Sequence, residues 1–374
     1  MPSVRNVLIV GGGAAGCAAA ILFARDGAAV DLVEIKPDLS ALGSGITVQG
    51  NALRVLRQLG VWDEVATAGY AFNTVGLRTP DGTLLVEMDD VRTGGPDLPA
   101  TVGMYRPALA RILTDAAAAA GAKLRYATTV RSLAQDDGGV DATFSDGASS
   151  RYDLVIGADG VRSQIRSLLG VELETRPTGM GIWRVFTSRP ASVTRTDLYY
   201  RGACYIAGYC PTADDSLYAY LVEDVQDRTQ LTPEARLEVM RELASHYHGP
   251  WDDIRAVMTD PGTINYTRFE SHLLPPPWNR GRVVLIGDAV HTCPPTIAQG
   301  AAMALEDAAV LADVLLAADG LDQSAFDAFT ARRHARVKTV VEESVQLGRW
   351  MLDGVEGNVA ALMGKVMGLV SQPA

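Results

Sequence analysis

The stretch that decides the fold is Val7-Leu8-Ile9-Val10-Gly11-Gly12-Gly13-Ala14-Ala15-Gly16, near the start of the chain. Its four apolar residues are typical of a buried parallel strand, and residues 14–25 are predicted to form the helix that follows. The glycines fit G-x-G-x-x-G: Gly11 permits a tight turn, Gly13 lets the backbone approach a pyrophosphate, and Gly16 lets the helix pack closely on the sheet. The stretch predicts a Rossmann-type fold in which the helix start, at Ala14 and Ala15, faces the phosphates of a dinucleotide.

A second apolar strand is predicted over residues 29–34 and ends in Glu34, at the usual distance of about 20 residues from the glycines. A carboxylate there accepts hydrogen bonds from an adenosine ribose, and Ile35 and Lys36 are expected beside it. Glu34 would repel a ribose 2′-phosphate, which disfavours NADP at this site. FAD and NAD both stay open at this point, because they contain the same ADP half.

A later motif favours FAD. The apolar strand predicted over residues 282–286 ends in Gly287-Asp288, and a loop through Pro295 leads to a helix that begins near Gln299 and Gly300. The Asp288 carboxylate can hold the ribityl hydroxyls of a flavin. The N–H groups of the helix start can face the flavin pyrimidine, where reduction places negative charge. NAD has no ribityl chain, so the predicted ligand becomes FAD.

A third motif lies between these two. Residues 153–156 are predicted to form a buried strand, and Asp159-Gly160 turns the chain into a helix beside the first phosphate site. The three motifs resemble, in the same order, those of the class A flavoprotein aromatic hydroxylases, the para-hydroxybenzoate hydroxylase-like monooxygenases. The resemblance covers essentially the whole chain.

The resemblance implies further flavin contacts. Arg106, at the head of a helix predicted over residues 107–120, matches the arginine with which such enzymes usually contact FAD. The stretch Gly43-Ser44-Gly45-Ile46-Thr47 matches their loop near the flavin ring, so Gly45 is a predicted contact, and Val130 is placed in the same set. The family usually has glycine where this chain has Ala298, which predicts an altered loop over the flavin.

The resemblance also implies the reaction. NADH or NADPH would bind transiently and reduce FAD, without a second Rossmann domain. Reduced flavin and O2 would form a C4a-hydroperoxide in a water-poor cavity, and a small aromatic or N-heteroaromatic, phenol-like substrate would take up one oxygen atom. Such chemistry requires neither a catalytic triad nor a metal site, and the sequence predicts neither.

Candidate catalytic residues are expected on an inserted sheet that should cover the flavin. Tyr205 and Tyr218 are the leading candidates for a base that deprotonates the substrate, and Arg184 lies in a Trp-Arg pair that is frequent in relatives. His291 follows the Gly-Asp motif, where a supporting role is favoured over direct chemistry. The other tyrosines considered on this sheet are Tyr199, Tyr200, Tyr209 and Tyr220.

The predicted architecture is α/β: a Rossmann-like FAD-binding domain with an inserted, mostly antiparallel substrate sheet and C-terminal helices. We assign residues 1–76, 100–172 and 278–374 to the FAD-binding domain and residues 77–99 and 173–277 to the substrate domain. Within the C-terminal helices, Arg332, Arg333, Arg336 and Lys338 are expected to form a solvated face.

Composition limits the possible partners. The chain has 374 residues and a net charge of −11, which argues against nucleic acid and anionic membranes, since both attract basic surfaces. No uncharged apolar stretch is long enough to predict a membrane span. Four cysteines without metal-ligand spacing fit reduced thiols in a cytoplasmic protein, expected to be a monomer or homodimer.

Other functions on the same fold stay open. A Baeyer–Villiger-type or antibiotic-modifying oxygenase would differ only in the cover of the cavity, which the motifs do not describe. A flavin halogenase is disfavoured because its W-x-W-x-I-P signature is missing from the sequence. A non-catalytic flavin-binding redox sensor is the alternative from another class, and Arg106, Asp159 and Asp288 argue against it.

Overall fold

A computed structural model of the protein describes residues 4–38 and 44–374. The helices in these ranges are α1 (Ala14–Arg25), α2 (Gly50–Gln58), α3 (Trp62–Ala68), α4 (Arg106–Ala119), α5 (Gln164–Leu168), α6 (Pro233–Ala244), α7 (Pro250–Val257), α8 (Gly300–Ala317), α9 (Gln323–Leu352) and α10 (Val359–Ser371). Short 3-10 turns cover Pro261–Thr263, Gly287–Ala289 and Pro295–Ile297.

The strands of the described ranges fall into four sheets. In chain order they are β1 (Asn6–Val10), β2 (Ala29–Val33), β3 (Gly45–Gln49), β4 (Tyr70–Phe72), β5 (Thr74–Arg78), β6 (Leu84–Asp89), β7 (Thr101–Tyr105), β8 (Lys123–Arg125), β9 (Val130–Asp136), β10 (Gly139–Phe144), β11 (Ser149–Tyr152), β12 (Leu154–Gly157), β13 (Arg176–Ser188), β14 (Thr196–Tyr199), β15 (Ile206–Pro211), β16 (Ser216–Asp224), β17 (Ile264–Leu273), β18 (Asn279–Arg280), β19 (Val283–Leu285) and β20 (His291–Thr292).

The nucleotide-binding fold is built on a six-stranded sheet in the order β18-β19-β12-β1-β2-β8, parallel except for its short edge strand β18. Val10 pairs with Gly157, and Gly157 pairs with Leu285, so the ends of β1, β12 and β19 lie at one edge. Strands in this sheet are apolar on both faces because helices cover both sides. The structure confirms the predicted Rossmann-like α/β class.

The alternating apolar pattern of residues 123–130 is typical of a single strand, but the structure differs. Residues 123–130 form two strands, because the chain leaves the parallel sheet after β8 and enters a separate three-stranded sheet, β11-β10-β9, at Val130. Ala127 lies between them with φ of +50°, and the backbone N–H groups of Ala127 and Thr128 donate to the carbonyls of Lys36 and Glu34. These hydrogen bonds anchor the segment between β8 and β9 to the loop that follows β2.

The inserted segment forms an eight-stranded sheet in the order β20-β17-β13-β16-β15-β14-β5-β6, antiparallel except where β14 pairs with β5. One face packs against α6 and α7 around buried aromatic residues such as Trp183, Tyr209 and Trp251. The opposite face meets the three-stranded sheet β3-β7-β4: a Cβ at Gly45 would lie only 2.3 Å from the Cβ of Tyr218. Close contact at Gly45 therefore brings the inserted sheet onto the nucleotide-binding part.

The predicted solvated face of α9 is half wrong. Arg332 and Lys338 are exposed, but Arg333 is 0% exposed and Arg336 is buried as well. The reason is that α9 packs against α8, which carries the buried acids Glu306 and Asp307. Spacing along one helix did not reveal the acids that a neighbouring helix supplies.

Among the described helices, none combines the length and hydropathy that crossing a bilayer requires.

Candidate functional site

The three sequence motifs converge at the carboxyl edge of the parallel sheet. A Cβ at Gly11 would lie 2.3 Å from the carbonyl oxygen of Ala158, so the first turn packs on the strand that leads to Asp159. A Cβ at Gly287 would lie 3.2 Å from that of Ala15, which joins the Gly-Asp turn to the start of α1. Segments more than 100 residues apart thus meet at one edge of the sheet, where dinucleotides bind in this fold.

The start of α1 is suited to a pyrophosphate. Its N-cap, Gly13, offers no side chain to the helix, and the first turn carries no acidic residue. A Cβ at Gly13 would meet nothing within 4 Å, and the same holds for Gly160. The backbone N–H groups of this turn are therefore approachable, and the helix dipole adds partial positive charge.

Glu34 is held in a fixed orientation beside this turn. Its Oε2 accepts a hydrogen bond from the Gly12 N–H at 2.7 Å, and its Oε1 accepts one from the Lys36 N–H at 2.9 Å. Ile35 is 66% exposed and offers an apolar surface next to the carboxylate. Val130 lies in the core, so its backbone alone is available to a ligand.

Asp159 has a local role that its motif did not reveal. Its carboxylate accepts hydrogen bonds from Ser163 Oγ at 2.5 Å and from the N–H groups of Gln164 and Ile165 at 2.7 and 3.0 Å. The side chain thus closes the turn into α5 and leaves the backbone of Gly160 facing open space. Its direct contact with FAD stays a prediction.

Asp288 and Arg106 are charged residues of the site whose side chains have no partner within the described part of the chain. Among the described residues, neither side chain has a hydrogen-bond or ion-pair partner, although Asp288 is half-buried. Burial raises the pKa of Asp288, and the neighbouring charges of His291 and Arg106 partly offset that rise. Buried carboxylates are normally hydrogen-bonded. An unpartnered one beside a free guanidinium, the open turn at Gly13 and the fixed Glu34 fit the polar groups of FAD.

Two side chains outside the predicted site, His272 and Arg166, hold the Gly-Asp turn in place. His272 Nε2 donates to the Asp288 carbonyl oxygen at 3.0 Å, while its Nδ1 accepts from Thr175 Oγ1 at 2.8 Å. Arg166, in α5, donates to the Ala289 carbonyl oxygen at 2.8 Å. Arg166 follows the Asp159-Gly160 motif closely in sequence, but no local pattern marks His272.

His272 should make stability depend on pH. Burial lowers its pKa from the usual 6.5 to about 4, so the unfolded chain binds a proton that the folded chain does not between these values. Its contribution to stability is complete above about pH 6.5 and is lost as the pH falls toward 4, up to about 3 kcal/mol. The test compares denaturant unfolding of the wild type and His272→Gln across this window.

We expect the variant to lose less stability than the wild type between pH 6.5 and 4. His246→Gln, a change at an exposed histidine, is the matched control and should follow the wild-type slope. Parallel curves for the wild type and His272→Gln would contradict the assignment.

The loop after the Gly-Asp turn holds Ala298 in a backbone conformation that suits glycine, the residue that the family resemblance implies at this position. Ala298 adopts φ +54° and ψ +33°, a left-handed conformation that favours glycine. The next residue, Gln299, turns its side chain inward, where Asn51 Nδ2 donates to its Oε1 at 2.9 Å. Gly300 then begins α8 with open space at its Cβ position. The loop therefore presents the backbone of residues 299–300 to a ligand, next to the exposed Pro295. The Gln299 side chain points away from that ligand position.

His291 lies inside the protein, away from this open edge. It is buried, and its Nε2 is 2.6 Å from Asp307 Oδ2. The same Asp307 oxygen accepts the Gly287 N–H at 2.9 Å. His291 therefore supports the Gly-Asp turn through Asp307, which fits the favoured supporting role and argues against direct chemistry.

The inserted sheet brings Arg184 and Tyr218 to the site. Arg184 Nε donates to the Tyr218 hydroxyl oxygen at 3.2 Å, and Nη1 bonds to Thr267 Oγ1. Burial raises the pKa of Tyr218, and the positive charges of Arg184 and Arg106 oppose the rise. Arg106 thus acts on both Tyr218 and Asp288, which links the sheet to the Gly-Asp turn.

Tyr205 does not join Arg184 and Tyr218. Its hydroxyl donates to the Asp224 carboxylate at 2.8 Å, on an exposed part of β16.

Part of the predicted flavin loop, Gly43, lies outside the described residues, while Gly45 packs against Tyr218. The described histidines, cysteines and acids include no group of three or more arranged to hold a metal ion.

Comparisons with known proteins fit this geometry. A family model described as "FAD binding domain" matches residues 5–344. The chain is 32% identical over 367 residues to 6-hydroxynicotinate 3-monooxygenase of Pseudomonas fluorescens, covering 91% of this chain and 90% of that protein. It is 31% identical over 350 residues to 2-heptyl-3-hydroxy-4(1H)-quinolone synthase of Pseudomonas aeruginosa, covering 92% and 89%.

Among solved structures, HpxO of Klebsiella pneumoniae, in complex with FAD and uric acid, is similar with a TM-score of 0.83. The match covers 98% of this chain and 92% of that one at 21% sequence identity. At this level of identity the likeness concerns the fold.

Proposed function

Because the chain belongs to the FAD binding domain family of class A flavoprotein monooxygenases, we propose that it uses NADH or NADPH and O2 to hydroxylate a small aromatic or N-heteroaromatic, phenol-like substrate. Bound FAD would supply electron transfer from the nicotinamide and the activation of O2. The parallel sheet would hold FAD and the eight-stranded sheet the substrate. Two relatives support this substrate class, since each is named for a hydroxylated N-heteroaromatic compound.

The observation that carries the proposal is that Tyr218 of the inserted sheet packs against Gly45, which pairs with Tyr105, the residue next to Arg106. The positive charge of Arg106 opposes the rise in pKa of both Tyr218 and Asp288, the unpartnered carboxylate of the Gly-Asp turn, in keeping with this arrangement. A flavin bound along Asp288 would therefore have its ring system close to Tyr218 and Arg184. A flavoprotein that only stored FAD would not need a polar pair on a second sheet at that point.

Tyr218 would act as a hydrogen-bond donor and not as a base. Its raised pKa keeps the hydroxyl protonated at neutral pH. The hydroxyl oxygen already accepts a hydrogen bond from Arg184 Nε, so its own proton is free for a substrate oxygen. Donation to a phenolate-like oxygen, backed by the Arg184 charge, would favour the electron-rich form of the ring that accepts oxygen.

The test supplies FAD-loaded protein with NADH or NADPH in air and a panel of phenols, hydroxypyridines and hydroxyquinolines. We expect at least one compound to accelerate the loss of absorbance at 340 nm and to gain one oxygen atom by mass spectrometry. A panel that leaves the rate of nicotinamide oxidation unchanged throughout would count against the hydroxylase.

Variants of the two tyrosines test the donor role. Tyr218→Phe removes one hydrogen bond to a charged substrate oxygen and should lower kcat/KM by about 10–100-fold. Tyr205→Phe is the matched control, since its hydroxyl is occupied by Asp224, and should stay within about twofold of the wild type. Equal losses in the two variants would remove Tyr218 from the site.

A further inference from the structure

The outer strands of the eight-stranded sheet separate charged from apolar side chains. On one face of β14, β5 and β6, Arg78 pairs with Asp197 at 2.6 Å and Arg195 pairs with Glu87 at 3.0 Å. Side chains alternate along a strand, so the other face carries apolar groups. They are Val75 and Leu77 on β5, Val86 and Met88 on β6, and Leu198 on β14.

The charged face is buried at β14, whereas β6 is exposed along its whole length, so its apolar side chains are open to solvent. Asp197, on the charged face, is 3% exposed. On the apolar face Val86 is 41% and Met88 49% exposed, while Leu77 and Leu198 are half-buried. Exposed apolar side chains that lie side by side mark binding surfaces more often than single ones do.

The strand register connects this surface to the candidate site. Tyr220, the cross-strand partner of Arg184, pairs with Gly208, which pairs with Leu198, then Leu77, then Val86. We name these five residues, from Tyr220 to Val86, the apolar row. Strands lie about 4.8 Å apart, so the row runs roughly 19 Å from the site to the sheet edge.

Side chains within the apolar row meet each other over a glycine. A Cβ at Gly208 would lie 2.8 Å from the Tyr220 hydroxyl oxygen and 2.9 Å from Leu198 Cδ2. Tyr220 thus extends along the row toward the edge, and its ring centroid lies 5.1 Å from that of Tyr218.

Two clusters of apolar side chains flank the apolar row where it begins. One cluster contains Phe72, Cys210 and Tyr218, and Met351 and Leu352 of α9 pack against the other, which contains Val222. Tyr220 contacts both clusters. The row is therefore flanked by apolar clusters where it begins at Tyr220, and it continues to the exposed strand β6.

We propose that the apolar row binds an unbranched aliphatic tail of the substrate, whose aromatic ring lies at Arg184 and Tyr218. The inference rests on the proposed function for the identity of the ring. A tail fits better than a protein partner because the row is continuous in register with Arg184 and consists of apolar and aromatic residues flanked by apolar clusters where it begins. Each methylene moved from water onto such a surface is stabilised by about 0.8 kcal/mol, a roughly fourfold gain in affinity.

The experiment measures binding to the FAD-loaded protein by calorimetry, with 2-methyl-4(1H)-quinolone and 2-nonyl-4(1H)-quinolone as probes. We expect the nonyl compound to bind at least about 100-fold more tightly, which partial burial of its added methylenes would give. n-Decanol, which has no ring, tests the apolar row independently of any turnover and should bind as well.

Three variants locate the tail. Leu198→Glu and Val86→Glu place a charge on the apolar row and should cost the nonyl compound about tenfold or more, while the methyl compound binds as before. Leu84→Glu is the matched control: Leu84 lies on the same strand and is 39% exposed, but it pairs with Arg78 on the charged face. This variant should leave the binding affinity for all three probes unchanged.

The results separate this proposal from the proposed function. Equal affinity for the two quinolones, with no binding of n-decanol, overturns the tail site. So does a dimer in sedimentation that Val86→Glu converts to monomer, since a second copy would then cover the edge. Binding of n-decanol that Leu198→Glu and Val86→Glu abolish supports the tail site even if no quinolone is hydroxylated.

Discussion

Replacing Arg333 with methionine is expected to lower the free energy of unfolding by about 3–5 kcal/mol. Arg333 is fully buried, with Nε 2.8 Å from Asp307 Oδ1 and Nη1 2.8 Å from Glu306 Oε2. Methionine keeps the volume but leaves two buried carboxylates with less compensation. Because Asp307 also holds the Gly287 N–H and His291, FAD affinity should fall as well. Chemical denaturation followed by circular dichroism gives the difference.

Arg332→Met is the control for this prediction. Arg332 is adjacent in sequence and pairs with Asp313 at 2.5 Å, but both side chains are exposed. Exposed ion pairs contribute up to about 1 kcal/mol, so this variant should unfold close to the wild type. If the two variants were equally stable, the buried pairs would not carry the stability assigned to them.

Replacing Asp288 with alanine should weaken FAD binding by about 10–100-fold or more, since hydrogen bonds to a charged group are worth about 1.5–3 kcal/mol each. The stability of the apoprotein, by contrast, should not fall. Asp288 has no partner among the described residues, and burial already raises its pKa. Removing an unpartnered carboxylate should therefore leave the Tm of the apoprotein unchanged or raise it.

Flavin fluorescence during titration of the apoprotein gives the affinity, and thermal unfolding without FAD gives the Tm. Asp313→Ala, on the exposed face of α8, should change neither quantity appreciably. A parallel loss of affinity and of apoprotein stability in Asp288→Ala would indicate a structural residue and contradict a ligand-holding role.

Local chemistry explains which site features were predictable. The turn at Gly11, the approach at Gly13 and the acid at Glu34 depend on short stretches with a fixed strand–turn–helix order, so residue spacing was sufficient. The side-chain roles of Asp159, Gln299 and His291 were less visible. Each depends on a hydrogen-bond partner: Ser163 in the turn beside Asp159, Asn51 on another helix, and Asp307 one helix away.

The sequence by itself determined the Rossmann-like fold, the FAD family and the three segments that meet at the carboxyl edge, because each is encoded by apolar periodicity and glycine positions. Only the tertiary structure decided that Arg333 is buried, that His272 holds the Asp288 carbonyl, and that Tyr218, not Tyr205, lies beside Arg184. It also decided which face of β5 and β6 continues from the site. The physical reason is that burial, pairing and sheet register depend on contacts between distant segments, which no local pattern specifies.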